Sequence, residues 1–537
     1  MDDIMAFVKN DSDQISLNDS TYNLTERERK FLNKSWAEPF AEIVFPAIKE
    51  DDFAVLYSTK ASRPNTPVNV LVGAHILKEL LGMTDDNLLE SLMFDVRFQY
   101  ALHTTSFEEQ PLSDRSLSRF RERCLTYETL TGIDLIKQCM SVLTKELTQI
   151  MKITPSMTRM DSLMIASNIK KLSRLELFYT CVANMVKCMK SAEDIIPDSL
   201  MRYTDERDYN KVVYHMKSVD VDTRIQPILK DLLLLVELCA GKYDDTSEYQ
   251  LLLRLKYEQT ESRDDDSLSL KTRGKETMAS TLLVNPSDPE ATIRKKGAKR
   301  HIGYVANITE SVGEHGGLVT DYDYKQNIYS DSHFLQDYLN QLPVNHEGGI
   351  LVADGAYAGQ NTVKLAKEHH IDLVTTNFTG YKPADCIAEF QFSEDGKQLI
   401  RCAKGIEPLY QVYDENNDCC RANFSKEECK TCPHLEACNP KMLKKSSRKN
   451  VSWKAVNRAE QLRFMKTEEF KKRSDFRNGV EAIPSLLRRK YHVDKMPVRG
   501  MKPTKFFFGF KIGALNFKKL LGFLDSLDQR GCEIVTG

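Results

Sequence analysis

The sequence predicts an α/β chain: a mixed sheet interrupted by a helical insert and preceded by an all-helical N-terminal domain. Three observations carry this prediction. An apolar run, residues 350–353, ends on Asp354-Gly355 and is followed by a helical and then a strand-like segment, a β-α-β unit. Helical periodicity dominates from the hinge at 63–67 to residue 150 and returns from about 171 to 275. Two alternating stretches, one from His301 and one from Leu318, flank the polar turn 314–317, the signature of a hairpin.

Bulk properties bound the rest. A chain of 537 residues exceeds what one core organises, so several domains are expected. The formal net charge is −2, so affinity for nucleic acid would have to come from local clustering. The opening Met1-Asp2-Asp3-Ile4 lacks a basic region and an apolar core, which argues against a secretory signal. The greasiest stretch, residues 232–236, is far too short to span a bilayer. The 13 cysteines are scattered apart from one cluster, which suits a reducing compartment. A soluble cytoplasmic protein without membrane association is expected.

Residues 25–32 form the first helix, and Arg63-Pro64-Asn65-Thr66-Pro67 is a turn-rich hinge. Residues 68–81 are apolar at helical spacing and stop at Gly82. Thr84 caps the next helix, with Asp85 and Asp86 well placed in its first turn. A third helix starts near Ser113 and carries Arg115, Arg119 and Arg123 on one stripe. Three short helices ending in a basic one fit a DNA-docking module of helix-turn-helix type, placed at residues 1–150. The alternative is a bundle with a solvated arginine face.

Residues 156–161 read as a strand that delivers Asp161 at its end, followed by a helical insert over 171–285. Within the insert, the polar run 258–267 reads as a solvated loop, with no chemistry for residues 264–266. After the turn 285–289 come the hairpin, a helix over 334–342, the strand ending on Asp354, a helix over 361–367 and a strand over 371–376. That order matches a ribonuclease H-like mixed sheet, whose first part is placed at 151–400. Ligands of open α/β sheets meet the carboxyl ends of strands, where Asp354 sits. The plainer reading of Asp354 is a turn or capping residue.

Cys419, Cys420, Cys429, Cys432 and Cys438 crowd a segment assigned to a cysteine-rich insertion at 401–450. Cys429-Lys-Thr-Cys432 presents two thiolates to one tetrahedral metal, and Cys438 with Cys419 or Cys420 would complete a structural zinc site; the preferred set is Cys420, Cys429, Cys432 and Cys438. It would close a loop with little apolar core of its own. The alternative is a loop of reduced thiols. Between residues 441 and 505 stand roughly twenty Lys and Arg against about six Asp and Glu, a phosphate-tracking footprint. Within it, on one continuous helix, Arg477, Glu481 and Arg488 would share nearly one meridian. Glu481 is then either a salt-bridge partner or a metal ligand facing a phosphate.

Together these motifs resemble a bacterial insertion-sequence transposase of the DDE type, over nearly the whole chain. Residues 67–123, with Leu117-Ser-Arg-Phe-Arg121, resemble that family's N-terminal domain. Asp161-Ser162 with Asn168 resembles the first catalytic motif, and Lys296-Gly297 with Gly303-Tyr304 the strand pair before the second. Val352-Ala-Asp354-Gly-Ala-Tyr357 is similar to the second motif and Arg477-x-x-x-Glu481 to the third. Arg499-Gly500 and residues 514–520 resemble the segment that closes the core, placed with the basic helix at 451–525. Cys429, Cys432-Pro433 and Cys438 resemble the cysteine knuckle of one branch. Ser474 stands where the family often has tyrosine, and Arg488 where it has lysine. Pro484 must kink the helix or start a new one.

The resemblance implies a ribonuclease H-like core in which Asp161, Asp354 and Glu481 hold two Mg²⁺ (or Mn²⁺) ions, with Asp161 bridging both. Such ions, about 3.5–4 Å apart, would activate the nucleophile and neutralise the leaving oxygen. Arg477 and Arg488 would contact phosphates near the scissile bond, and Arg115, Arg119 and Arg123 would serve end binding. The implied partners are double-stranded DNA, as terminal inverted repeats and target, and a second copy of the chain at synapsis; the implied place is the bacterial nucleoid when bound. Two other readings stay open: a non-catalytic DNA-binding protein derived from such an enzyme, and a ribonuclease H-like nuclease without strand transfer.

Overall fold

The computed structural model describes residues 6–10, 19–58, 63–154, 156–213, 221–263, 267–272, 279–343, 348–375, 381–479 and 481–529. The acidic run 264–266 lies outside the described residues; the residues beside it form a small hairpin, Thr260–Ser262 with Leu268–Leu270. The helix Glu26–Asn33 opens on a capping box from Thr25 and Glu28. Helix α1 (Val68–Leu81) ends at Gly82, whose φ of 67° only a glycine adopts without cost. Thr84 and Ser113 cap α2 (Asp85–Phe94) and α3 (Asp114–Thr131), and α4 (Leu135–Ile150) follows.

Strand β1 (Met157–Ala166) runs through Asp161 and five residues beyond it, so Asp161 sits mid-strand and not at the end that the sequence suggested. The poor alternation there has a physical reason: both faces of β1 are covered. Met160 packs into one apolar cluster, while Leu163 and Ile165 pack into another. The insert follows, with helices α5 (Arg174–Ser191), α6 (Val221–Cys239) and α7 (Ser247–Gln259) around a core of their own.

The chain returns as β2 (Thr292–Lys296), β3 (Lys299–Gly313) and β4 (Gly316–Gln326). Helix α8 (Asp331–Gln341), β5 (Gly349–Ala353), α9 (Gln360–Glu368) and β6 (Ile371–Thr375) then complete a β-α-β unit. In the sheet β3 lies antiparallel beside β1, β5 lies parallel on the other side of β1, and β6 is parallel to β5. Both β2 and β4 pair along the outer edge of β3. Gly303 pairs with Ala166 and Thr292 at once, and any Cβ there would lie 2.3 Å from the Ile165 carbonyl oxygen.

A second antiparallel sheet, β7 (Tyr410–Asp414), β8 (Cys419–Ser425), β9 (Lys441–Met442) and β10 (Ser446–Val451), holds the clustered cysteines. It has a core of its own around Phe390, Leu399, Phe424 and Val456, contrary to the expectation of a loop needing a metal to close it. Three helices follow, α10 (Trp453–Phe464), α11 (Glu468–Asn478) and α12 (Ala482–Arg489), and then the long α13 (Met501–Gln529). One buried apolar cluster runs through α1, α3, α4, the sheet and α13, so the N-terminal helices and the sheet share a core. Asn516 of α13, 1 % exposed, takes the Val319 N–H at 2.9 Å and donates to the Val319 carbonyl at 2.8 Å, completing the pairing of β4.

The arginines of α3 divide by role. Arg121 makes a forked pair with Asp85 at 2.6 and 2.7 Å and donates to His75 Nε2 at 3.1 Å. Burial drives the His75 ring down to about 3, keeping it a neutral acceptor. Arg123 lies over the Tyr57 ring at 4.9 Å, Arg119 is half-buried, and Arg115 is exposed. Burial raises the Asp85 carboxyl, but Arg121 and Lys78 outweigh it and hold it well below the ordinary carboxylate range. Arg121→Ala should therefore cost about 2 kcal/mol of stability, and Arg115→Ala less than about 0.5 kcal/mol, in urea titrations. A carboxyl depressed on folding contributes above its unfolded value, so the Arg121→Ala deficit should hold from neutral pH to about pH 4 and shrink below it.

Candidate active site

The register of β1 on β5 pairs Met157 with Ile350, Thr158 with Leu351 and Arg159 with Val352. Two residues beyond the last pair stand Asp161 on β1 and Asp354 just past β5, so both carboxylates come towards the same end of adjacent strands. Asp354 leaves β5 at its carboxyl end and accepts from the Gly355 N–H at the start of a short turn, Gly355–Tyr357. The capping role and the mouth-of-sheet position therefore coincide. Both carboxylates lie within electrostatic range of the Tyr357 hydroxyl. Burial pushes that hydroxyl far above its ordinary value, and the charges of Asp331, Asp161 and Asp354 add to the shift. It stays protonated and donates to Asn307 Oδ1 at 2.7 Å.

Alternation along β1 puts Asp161 on the face of Arg159, Leu163 and Ile165. Arg159, which the sequence reading passed over, bonds Glu310 and donates from Nη1 to the Phe476 carbonyl at 2.8 Å. Its guanidinium lies 5.2 Å from the Phe476 ring centre and fills the space a Cβ on Gly479 would need. Glu310 is 1 % exposed and also receives Lys519 from α13. The buried carboxylate thus holds β1, β3 and α13 together and, through Arg159, the end of α11.

The single helix expected to carry Arg477, Glu481 and Arg488 is broken. Helix α11 ends at Asn478, Gly479 is pressed against Arg159, and α12 starts at Ala482 with Pro484 in its first turn, where no N–H is required of it. The shared meridian of these three residues is therefore corrected. Glu481 is exposed at the break, and the Arg477 side chain lies outside what is described. Arg488 Nη2 donates to the Met164 carbonyl at 2.8 Å, and its Nε pairs with Asp494 at 3.2 Å. The segment is thus tied to β1 at Arg159 and Met164, on either side of Asp161, with Glu481 between the ties.

Among the described residues, no three His, Cys, Asp or Glu side chains come close enough together to hold a metal ion. Asp161 and Asp354 are hard oxygen donors that both act on the Tyr357 hydroxyl, a chemistry that suits Mg²⁺, but the third carboxylate is not gathered to them. In the cysteine module, Cys402, Cys429, Cys432 and Cys438 line one cavity of about 30 Å³ with His434, Lys404 and Lys449. Cys420 is not part of it. It is buried on β8, its thiol donates to Gln411 Oε1 at 3.0 Å, and burial raises it. Lys404 donates to Glu428 and to Thr431, clamping the Cys402 turn against the Cys429-x-x-Cys432 turn.

Much of the basic third is neutralised internally. Arg463 and Lys466 pair with Asp385, Arg473 with Asp372 and Glu469, and Lys505 with Glu128 and Asp134. No helix among the described residues is long and apolar enough to cross a membrane. Arg159→Met should leave Glu310 buried against Lys519 alone, cost about 3–5 kcal/mol, and make residues 465–490 the first site of proteolytic nicking. Arg488→Met, at an exposed pair, should cost less than about 1 kcal/mol in the same denaturant titration.

Residues 27–123 match the family Transposase domain (DUF772), and residues 401–521 match the Transposase DDE domain. The first match covers α1, α2 and the arginine-bearing first part of α3; the second covers the cysteine module, Glu481 and most of α13, but neither Asp161 nor Asp354. No curated protein and no solved structure matches the chain. Two transposase-domain matches in this order, at opposite ends of one continuous core, indicate an insertion-sequence DDE transposase.

Proposed function

We propose that this transposase cleaves DNA at the ends of an insertion sequence and joins them to a target, with Asp161, Asp354 and Glu481 as the acidic set of a ribonuclease H-like core. The reading is supported by the register that brings Asp161 and Asp354 towards the same end of adjacent strands, near a segment bearing Glu481 that is tied to β1 on both sides. The strand order supports the core assignment: antiparallel β4, β3 and β1, then parallel β5 and β6. The resemblance to the DDE family favours joining over simple nuclease action.

Divalent metal held by these carboxylates would polarise the scissile phosphate and activate the attacking oxygen. The chain's own residues do the placing. Arg159 fixes how close the Glu481 segment comes to β1. Tyr357, kept neutral, supports Asn307 and is no general base. Glu481 lies exposed at the break between two short helices, and its approach to the aspartates on DNA binding is part of this proposal. The oligomer at synapsis is proposed as a dimer.

The test is Mg²⁺-dependent nicking and joining of duplexes carrying the element's ends. Asp354→Ala and Asp161→Asn should each lower cleavage by about a hundredfold or more while leaving DNA affinity within about twofold. Cleavage that survives either change overturns the acidic set. Cutting without joint products would make the protein a nuclease.

In the cysteine module, four soft donors around one cavity suit zinc, although binding would have to draw them together. We place Cys402, not Cys420, in the fourth position. Metal analysis of the purified chain should find one zinc per chain, lost in Cys402→Ser and retained in Cys420→Ser. Equal zinc content in both variants would remove Cys402 from the set.

A further inference from the structure

A cluster of unneutralised charge lies on the two-stranded ribbon β2–β3, outside the basic third of the sequence. Its register pairs Lys295 with Arg300 and Lys296 with Lys299 across a two-residue turn, Gly297-Ala298, in which Gly297 has a φ of 60°. Successive side chains of a strand point to opposite faces, so each face of the ribbon carries one pair of cations directly opposite one another. Like charges in that position are destabilising. All four are exposed, none has an ion-pair, hydrogen-bond or ring partner among the described residues, and no Asp or Glu occurs between residues 291 and 309. At the base of the ribbon the pattern changes, where Arg294 pairs with Asp331 at 3.3 Å.

The place of the ribbon gives the charge a use. β1 stops pairing at Gly303 and β4 at Tyr304; the base of the hairpin is anchored, with the Ile293 N–H on the Ser280 carbonyl and the Ser167 N–H on the Ile302 carbonyl, and the exposed tip, residues 295–300, projects past the sheet. It does so beyond the carboxyl end of β1, the end at which Asp354 leaves β5. β3 runs unbroken from the ribbon to Ile308, the partner of Asp161, and eight residues at about 3.4 Å each put Arg300 about 27 Å from that position. A two-stranded ribbon of this width fits the major groove of B-DNA, where its two faces look at the two phosphate walls.

We propose that the β2–β3 ribbon is a DNA-backbone clamp: it enters a groove of duplex DNA leading to the acidic site, and its two cross-strand cation pairs hold phosphates on both walls. The clamp rests on the transposase reading above and adds a binding surface that neither the helices of the N-terminal region nor the basic third supplies. Duplex phosphates would replace the repulsion within each pair by two attractions, so the ribbon trades a little stability for binding.

The experiment measures binding of the full chain, carrying Asp354→Asn to prevent cutting, to a 40-base-pair duplex of arbitrary sequence across a series of salt concentrations. The quadruple variant Lys295→Ala, Lys296→Ala, Lys299→Ala, Arg300→Ala should bind about tenfold or more weakly at physiological salt. Its log–log salt slope should be shallower by about 0.9 for each phosphate that the ribbon no longer neutralises. Its melting temperature should equal or exceed that of the parent, because repulsion has been removed, which separates weakened binding from impaired folding. Arg463→Ala with Lys466→Ala, whose charges are already spent on Asp385 and Glu389, should leave the slope unchanged. If the parent binds and the quadruple variant binds with the same affinity and slope, the clamp is wrong and the transposase reading stands. If the parent does not bind duplex DNA at any salt, both fall.

Discussion

One buried carboxylate holds the architecture together. Glu310 on β3 is almost fully enclosed, and a charge so placed is tolerable only when paired and hydrogen-bonded. Its two cations come from opposite ends of the chain, Arg159 from β1 and Lys519 from α13. Burial pulls the Lys519 ammonium down and Glu310 pulls it back up. Because Arg159 also takes the Phe476 carbonyl and leaves room for nothing larger than glycine at 479, the same ion cluster sets the height of the segment carrying Glu481 above the sheet. Core integrity and the geometry of the acidic residues are thus one constraint, two positions away from Asp161 on the same strand face.

The charges of the molecule sort by whether they are answered. Counting Lys and Arg along residues 441–505 suggests a phosphate surface, but many of those cations face acids brought in from β6, α3 and the segment around Asp385. Arg121, in the helix that looks most like a DNA-docking element, is spent on Asp85 and His75. Charge density along a sequence therefore overstates the field a partner would feel. The short symmetric patch around Gly297 is the reverse case, modest in number but with no ion-pair partner among the described residues.

Most of the fold was legible because its elements carry local punctuation. Thr25, Thr84 and Ser113 announce helix starts, Gly82 a stop, and the run into Asp354 a buried strand end. β1 was harder to read, since a strand covered on both faces loses the alternation that marks a half-exposed one. The break at Gly479 was half-visible through Pro484, but its cause is a guanidinium arriving from residue 159. Cys402 escaped notice because only folding brings it to Cys429; the signal was its own tight turn, Cys402-Ala-Lys-Gly405, in which Gly405 has a φ of 82°. Arg159 could have been suspected as a cation on the same strand face as a carboxylate, yet its partners lie 151 and 317 positions away.

The helical insert leaves and rejoins the sheet at nearly one point: Asn285 Nδ2 reaches back to the Lys170 carbonyl at 2.9 Å, and Ser167 bonds Asp288 at the same neck. Among the described residues, its buried apolar interior is drawn from residues 175 to 283, with Leu172 packed against it. A unit with a narrow neck and a private interior can be lengthened, shortened or exchanged by descent without disturbing the strands it interrupts. The distance along the chain between Asp161 and Asp354 is therefore free to drift among related proteins, while their separation in space stays where the register of two strands puts it.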